Sequence, residues 1–218
     1  MRRTIVLVFV VTLLAAGAYA DVFGSALIQR SGGPYGSVDT CVGCLFAYYP
    51  VPAADVGQTL DDWGFYSDQG SRPGNVITPI LFLSLGSGQF QITAIGATQT
   101  NTAVSTVQTY LFGPSAGSAV LAANEYLGWL DGNAGGTVVN PGTISFDESG
   151  QGVWYYGNGG AAIYVGETQT FTPTSVTNGA RDVRTYSIDG STVPEPASIL
   201  LFGICLVGVG RTLRRRLG

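Results

Sequence analysis

The sequence predicts an all-β fold, a β-sandwich of jelly-roll type over residues 21–190, with a β-helix as the second arrangement. Three observations carry this. Short apolar or alternating runs follow one another closely from Cys44 onward. Gly, Asn, Asp and Pro separate them, as turn chemistry requires. No amphipathic helix interrupts them: the best helical candidate, Ala116 to Leu127, is weakened by Gly117.

In chain order, the first expected strands are Leu45–Tyr49, Leu60–Tyr66, Val76–Ser84, Gln89–Ile95 and Ala103–Phe112. Tyr126–Leu130, Thr137–Val139, Thr143–Phe146 and Val153–Tyr156 come next, then Ala161–Val165, Thr168–Thr172 and Val183–Ile188. Val, Ile, Thr, Tyr and Phe dominate them, side chains that suit a pleated, half-buried surface. Gln89-Phe90-Gln91-Ile92 and Tyr186-Ser187-Ile188 alternate with period two. Gly86-Ser87-Gly88, Asp131-Gly132-Asn133 and Gly157-Asn158-Gly159-Gly160 supply turn residues between runs. No period of about twenty to fifty residues recurs, which argues against a solenoid.

Composition closes off most chemistry. The chain has no histidine and no lysine. Ser-His-Asp and Cys-His nucleophile systems, imidazole-based zinc sites, Schiff bases and P-loops are therefore excluded. Between the two ends the basic side chains are Arg30, Arg72, Arg181 and Arg184, set against all of the chain's 14 Asp and Glu except Glu195. So acidic a middle does not suit nucleic acid, whose phosphates need basic surface. A carboxylate-dependent glycosidase stays open through Glu125, Asp147, Glu148 and Glu167, although sequence cannot place any pair at the separation needed.

Four further candidates are visible. Trp63, Tyr66, Trp129, Trp154, Tyr155 and Tyr156 could stack on sugar faces, or alternate rings could fill the core. Asp61-Asp62, Asp131-Gly132-Asn133 and Asp147-Glu148 carry hard oxygen ligands of the kind calcium takes, without EF-hand spacing. Thr98, Thr100 and Thr102, and again Thr168, Thr170 and Thr172, lie two apart on one strand face, arrays too short for an ice lattice. Cys41 and Cys44 are expected to pair across a tight turn or to stay a structural dithiol, whereas Cys205 reads as an apolar filler.

The ends of the chain have their own logic. Arg2 and Arg3, the apolar run Ile5 to Leu14 and Ala18-Tyr19-Ala20 form the layout of a secretory signal peptide over residues 1–20, with cleavage expected before Asp21. An uncleaved anchor or a buried helix is the alternative, but the apolar run is short for a hydrocarbon core of roughly 30 Å. At the other end, Val193-Pro194-Glu195-Pro196-Ala197-Ser198 precedes an uncharged run from Ile199 to Gly210 and then Arg211, Arg214, Arg215 and Arg216. The prolines break structure before the run. The run suits one transmembrane helix, and the arginines its cytoplasmic end. At about 1.5 Å per residue, Ala197 to Gly210 spans on the order of 21 Å, short for a permanent anchor and closer to a processed tail.

These C-terminal residues, Val193 to Gly218, resemble the PEP-CTERM sorting domain of Gram-negative bacteria, a tag sometimes labelled an ice-binding protein C-terminal domain. The resemblance implies handling by an exosortase, a membrane protease-transpeptidase found in bacteria that make exopolysaccharide. It also implies processing near Pro194 to Pro196, a passing tether in the inner membrane, and a destination at the cell surface or in the extracellular matrix. The segment from Thr59 to Ile188, through Trp63-Gly64-Phe65-Tyr66-Ser67, Gly128-Trp129-Leu130-Asp131 and Arg184-Thr185-Tyr186-Ser187, looks like β-sandwich ectodomains of other tagged surface proteins. The expected role is structural or adhesive, with a sugar-binding module and a glycosidase as alternatives.

Overall fold

The computed structural model describes residues 21–30, 41, 43–68, 73–136, 144–173 and 183–193. Along them the strands are β1 (Asp21–Gly24), β2 (Cys44–Pro50), β3 (Thr59–Ser67), β4 (Val76–Gly86), β5 (Gln89–Ile95), β6 (Gln99–Thr100), β7 (Thr106–Leu111) and β8 (Ala116–Gly117). They continue as β9 (Glu125–Leu130), β10 (Phe146–Gly152), β11 (Trp154–Gly157), β12 (Thr168–Thr170), β13 (Thr172–Pro173), β14 (Val183–Tyr186) and β15 (Ile188–Val193). Every pairing is antiparallel, and among the described residues there is no helix.

Two large sheets pack together, and β10 and β14 form a third sheet of two strands. One has the order β1-β15-β3-β7, the other β12-β5-β4-β9-β2-β11-β13. The larger sheet is not an open layer. Its two ends, β12 and β13, are consecutive pieces of one segment separated by Phe171. Thr170 pairs with Gln89 of β5 and Thr172 pairs with Tyr155 of β11. One stretch of chain thus joins both edges, and the sheet closes into a barrel. The expected sandwich is modified in this respect. Register shifts at Leu81/Phe82 and Ser84/Gly86 of β4, and at Ala47/Tyr49 of β2, provide the extra twist that closure needs.

Closure explains why the apolar residues form two cores. Side chains alternate across each strand. Leu45, Ala47, Ile80, Phe82, Phe90, Leu130 and Phe171 fill the barrel. Phe46, Tyr48, Leu81, Leu127 and Trp129, from the opposite faces of the same strands, meet Leu60, Trp63, Phe65 and Ile188 of the four-stranded sheet. Gly128 lets β9 run against β2 here: a Cβ on it would collide with the Phe46 carbonyl oxygen and stand 2.8 Å from the Phe82 ring.

Several expected strands coincide with observed ones, Gln89–Ile95 to the residue. Ala161–Val165 is irregular chain rather than strand, and the helical candidate Ala116 to Leu127 is the short β8 followed by turns and the start of β9. Thr137–Val139 falls outside the described residues. The expected boundary at residue 190 lies inside β15, which runs on to Val193.

Candidate functional site

The region that leads to the C-terminal signature is built from the two ends of the described chain. β15 is an inner strand, bonded on one side to β3 and on the other to β1. Asp21 stands opposite Thr192, Phe23 opposite Gly190 and Gly24 opposite Asp189. On the other side Val193 pairs with Thr59 and Thr192 with Leu60. Phe23 is buried in the inter-sheet core, and Gly190 leaves room for it. Gly24 is obligatory: its φ is +127°, and a Cβ would lie 2.6 Å from the Asp189 Cα and from the Ile188 carbonyl oxygen.

Beyond β1 the chain continues along the same partner. Ser25 N–H donates to the Ile188 carbonyl at 2.8 Å, and Ser187 Oγ donates to the Ile28 carbonyl at 2.7 Å. Arg30 then closes the segment. Its Nε donates to Ser187 Oγ at 2.7 Å, and its Nη1 pairs with Asp147 Oδ2 at 3.1 Å. Next to it Ser145 Oγ and the exposed Gln29 Nε2 donate to the buried Asp68 Oδ2 at 2.8 and 2.6 Å. Little in the sequence marks this segment, because Asp21-Val22-Phe23-Gly24 is too short to show a period. Arg30 was the available signal, since a cation in an acidic domain invites a carboxylate.

Two carboxylates in this region have raised pKa values. Asp189 is pushed up by burial, with a hydrogen bond from the Gly64 backbone N–H acting in the opposite direction. Asp55 is raised first by burial and then by the charge of Asp21, while a hydrogen bond with Thr192 lowers it. Thr192 itself is buried, its Oγ1 donating to Gln58 Oε1 at 2.8 Å.

The aromatic candidates do not converge. Trp63 and Trp129 are 0% and 1% exposed, so their rings belong to the inter-sheet core and offer no face to a ligand. This corrects their placement among sugar contacts; a strand buried on its inner face takes such rings inward, and sequence alone could not tell which face that was. In Trp154-Tyr155-Tyr156 the faces alternate. Trp154 and Tyr156 pack against the barrel core, with Trp154 at 5.6 Å from the Phe90 ring. Tyr155 is turned outward, 37% exposed.

The oxygen-ligand clusters are also dispersed. Asp61 is exposed and Asp62 half-buried on successive positions of β3, Asp131 is buried, and Asp147 is engaged by Arg30. Among the described residues no group of three or more Asp, Glu or Cys side chains is placed to hold a metal. Glu125 Oε2 accepts the Ala122 N–H at 2.7 Å, and Glu167 Oε2 accepts the Tyr164 N–H at 3.2 Å, so both carboxylates serve turns. Thr98 Oγ1 is bonded to Thr78 Oγ1 at 2.8 Å, which ties that threonine array into the fold. Cys41 and Cys44 form a disulfide.

Val193 ends β15 with its side chain 42% exposed, and the chain proceeds into Pro194-Glu195-Pro196. Residues 192–216 match the model of the PEP-CTERM protein-sorting motif. The chain carries a PEP-CTERM motif. Such motifs are substrates of exosortase, so this one implies an exported protein sorted toward the cell surface. The motif's first two residues, Thr192 and Val193, are the last two of β15. Comparison with curated proteins and with solved structures gave no match. Pro194, Glu195, Pro196, the arginines Arg211, Arg214, Arg215 and Arg216, Glu148's side chain and the expected signal peptide lie outside the described residues. Among the described residues no helix is long and apolar enough to cross a membrane.

Proposed function

We propose that this is a structural or adhesive protein of the cell surface or extracellular matrix, held within exopolysaccharide and without enzymatic activity. The PEP-CTERM motif that continues from β15 carries the reading, because it marks the all-β domain as the exported cargo of exosortase sorting. The tying of Glu125, Glu167 and Asp147 to turns and to Arg30 supports a non-catalytic role. The inner-membrane tether is temporary, the apolar run Ile199 to Gly210 serving as the tail that processing removes.

A sugar-binding module is the second reading, favoured by the outward ring of Tyr155. A glycan array and co-sedimentation with acidic and neutral bacterial exopolysaccharides, each with and without calcium, separate the two. The structural reading predicts low-affinity retention in the polysaccharide pellet that is unchanged by Tyr155→Ala. Selective array binding lost in Tyr155→Ala would replace it with the module, and dependence on calcium would bring the Asp clusters back into play. Trp154→Ala is the poorer probe, because that ring supports the barrel core.

A further inference from the structure

We propose that Asp21–Arg30 is a strap along the C-terminal strand, and that its docking limits how far upstream of Pro194 the sorting enzyme can reach. The proposal rests on the exosortase-substrate reading of the motif and adds a conformational control to it. Strap and strand run together along their length: Asp21 lies opposite Thr192, Gly24 opposite Asp189, Ser25 is bonded to Ile188, and both Ile28 and Arg30 to Ser187. On its other side the strand is paired with β3 out to Val193. From Ile188 to Thr192 the strand therefore has a neighbour on each side, and the Pro-Glu-Pro of the motif follows directly after Val193.

A protease binds its substrate extended, forming main-chain hydrogen bonds to residues on both sides of the bond it cuts, as strand-adding receptors do. Near Pro194 to Pro196 the upstream residues of that substrate are those of β15. Val193 is half-exposed and frays at little cost, whereas Thr192 is buried and bonded to Gln58. The strap is the weaker of the two neighbours, since β1 has four residues and β3 nine. Its release frees one side of β15 and lets the enzyme bind further upstream. Cleavage itself breaks one peptide bond. The acyl part goes to water, which supplies the OH, or to an amine acceptor, which loses a proton; the departing nitrogen takes that proton.

The test uses the full chain in a host that has exosortase, with pulse-chase measurement of tail removal. Three variants are compared with the parent: a six-residue Gly-Ser insertion between Val193 and Pro194, Gly24→Val to push β1 off Asp189, and Arg30→Ala to open the far end of the strap. Protease resistance of the domain reports folding, and Arg30→Ala serves if Gly24→Val does not fold. The insertion should speed tail removal about tenfold, and each strap variant several-fold. Gly24→Val added to the insertion should change nothing further, because the enzyme then no longer needs β15. Equal rates in parent, insertion and strap variants would overturn the strap and leave the sorting reading standing. No tail removal in any chain, insertion included, would overturn both.

Discussion

Phe46 lies nearly flat on Trp129, with ring centroids 4.7 Å apart and planes inclined by 17°. Tyr186 closes on both, 5.8 Å from Phe46 and 4.8 Å from Trp129. Neighbouring barrel strands thus contribute a stacked pair to the core between barrel and sheet, and β14, which pairs with β10, adds the third ring. A ring so held is structural. Trp129→Ala should cost about 3–5 kcal/mol in urea unfolding, whereas Tyr155→Ala, on the outward face, should stay within about 0.5 kcal/mol. Equal effects at the two positions would contradict the assignment of faces.

Gly128 tests how closely β9 and β2 approach. Because a Cβ there meets the Phe46 backbone and not a flexible side chain, the strands must separate to accommodate it. Gly128→Ala should destabilise the domain by about 3 kcal/mol or more, read as a lower denaturation midpoint with an unchanged m-value.

Arg30 should behave as a half-buried, paired cation. Arg30→Ala leaves Asp147 and Ser187 without its hydrogen bonds and should cost about 2–3 kcal/mol. Arg30→Lys should recover little, since one ammonium cannot serve the separate Nε and Nη1 contacts. Urea unfolding of the two variants checks both statements.

The raised pKa of Asp189 fixes the sign of a pH effect. The folded state holds its proton more tightly than the unfolded chain, so this group's contribution is fully present below its ordinary value of 3.8 and is lost as pH rises through the higher folded value. Asp189→Asn keeps an oxygen for the Gly64 N–H and removes the charge. It should raise the thermal midpoint at pH 7 and leave it unchanged near pH 3; a rise at both would mean that packing, not ionisation, is responsible.

How much of this was legible in the sequence follows from the range of each signal. Alternation is local, so Phe90 and Ile92 were readable as one face of β5, and the absence of helices among the described residues followed from the same runs. Which face is inner depends on partners far along the chain, so Trp63 and Trp129 could not be told from Tyr155. Barrel closure depends on Thr170 and Thr172 bonding in opposite directions, which no period encodes. The sorting motif was readable because its order of Pro-Glu-Pro, apolar run and arginines is itself local. The strap was not, because the sequence of Asp21–Arg30 does not show that it lies along Ser187–Val193.

If the folded β domain is cargo for its C-terminal motif, its destination depends on exosortase. The full chain and a chain ending at Val193 are expressed in a host with exosortase and in one from which it is removed; the domain is then followed by fractionation and its C-terminus by mass spectrometry. The full chain should reach the cell surface or matrix with its C-terminus near Pro194 to Pro196 only where exosortase is present, remaining inner-membrane-bound and uncut in its absence. The same destination and the same C-terminus in both hosts would contradict the account.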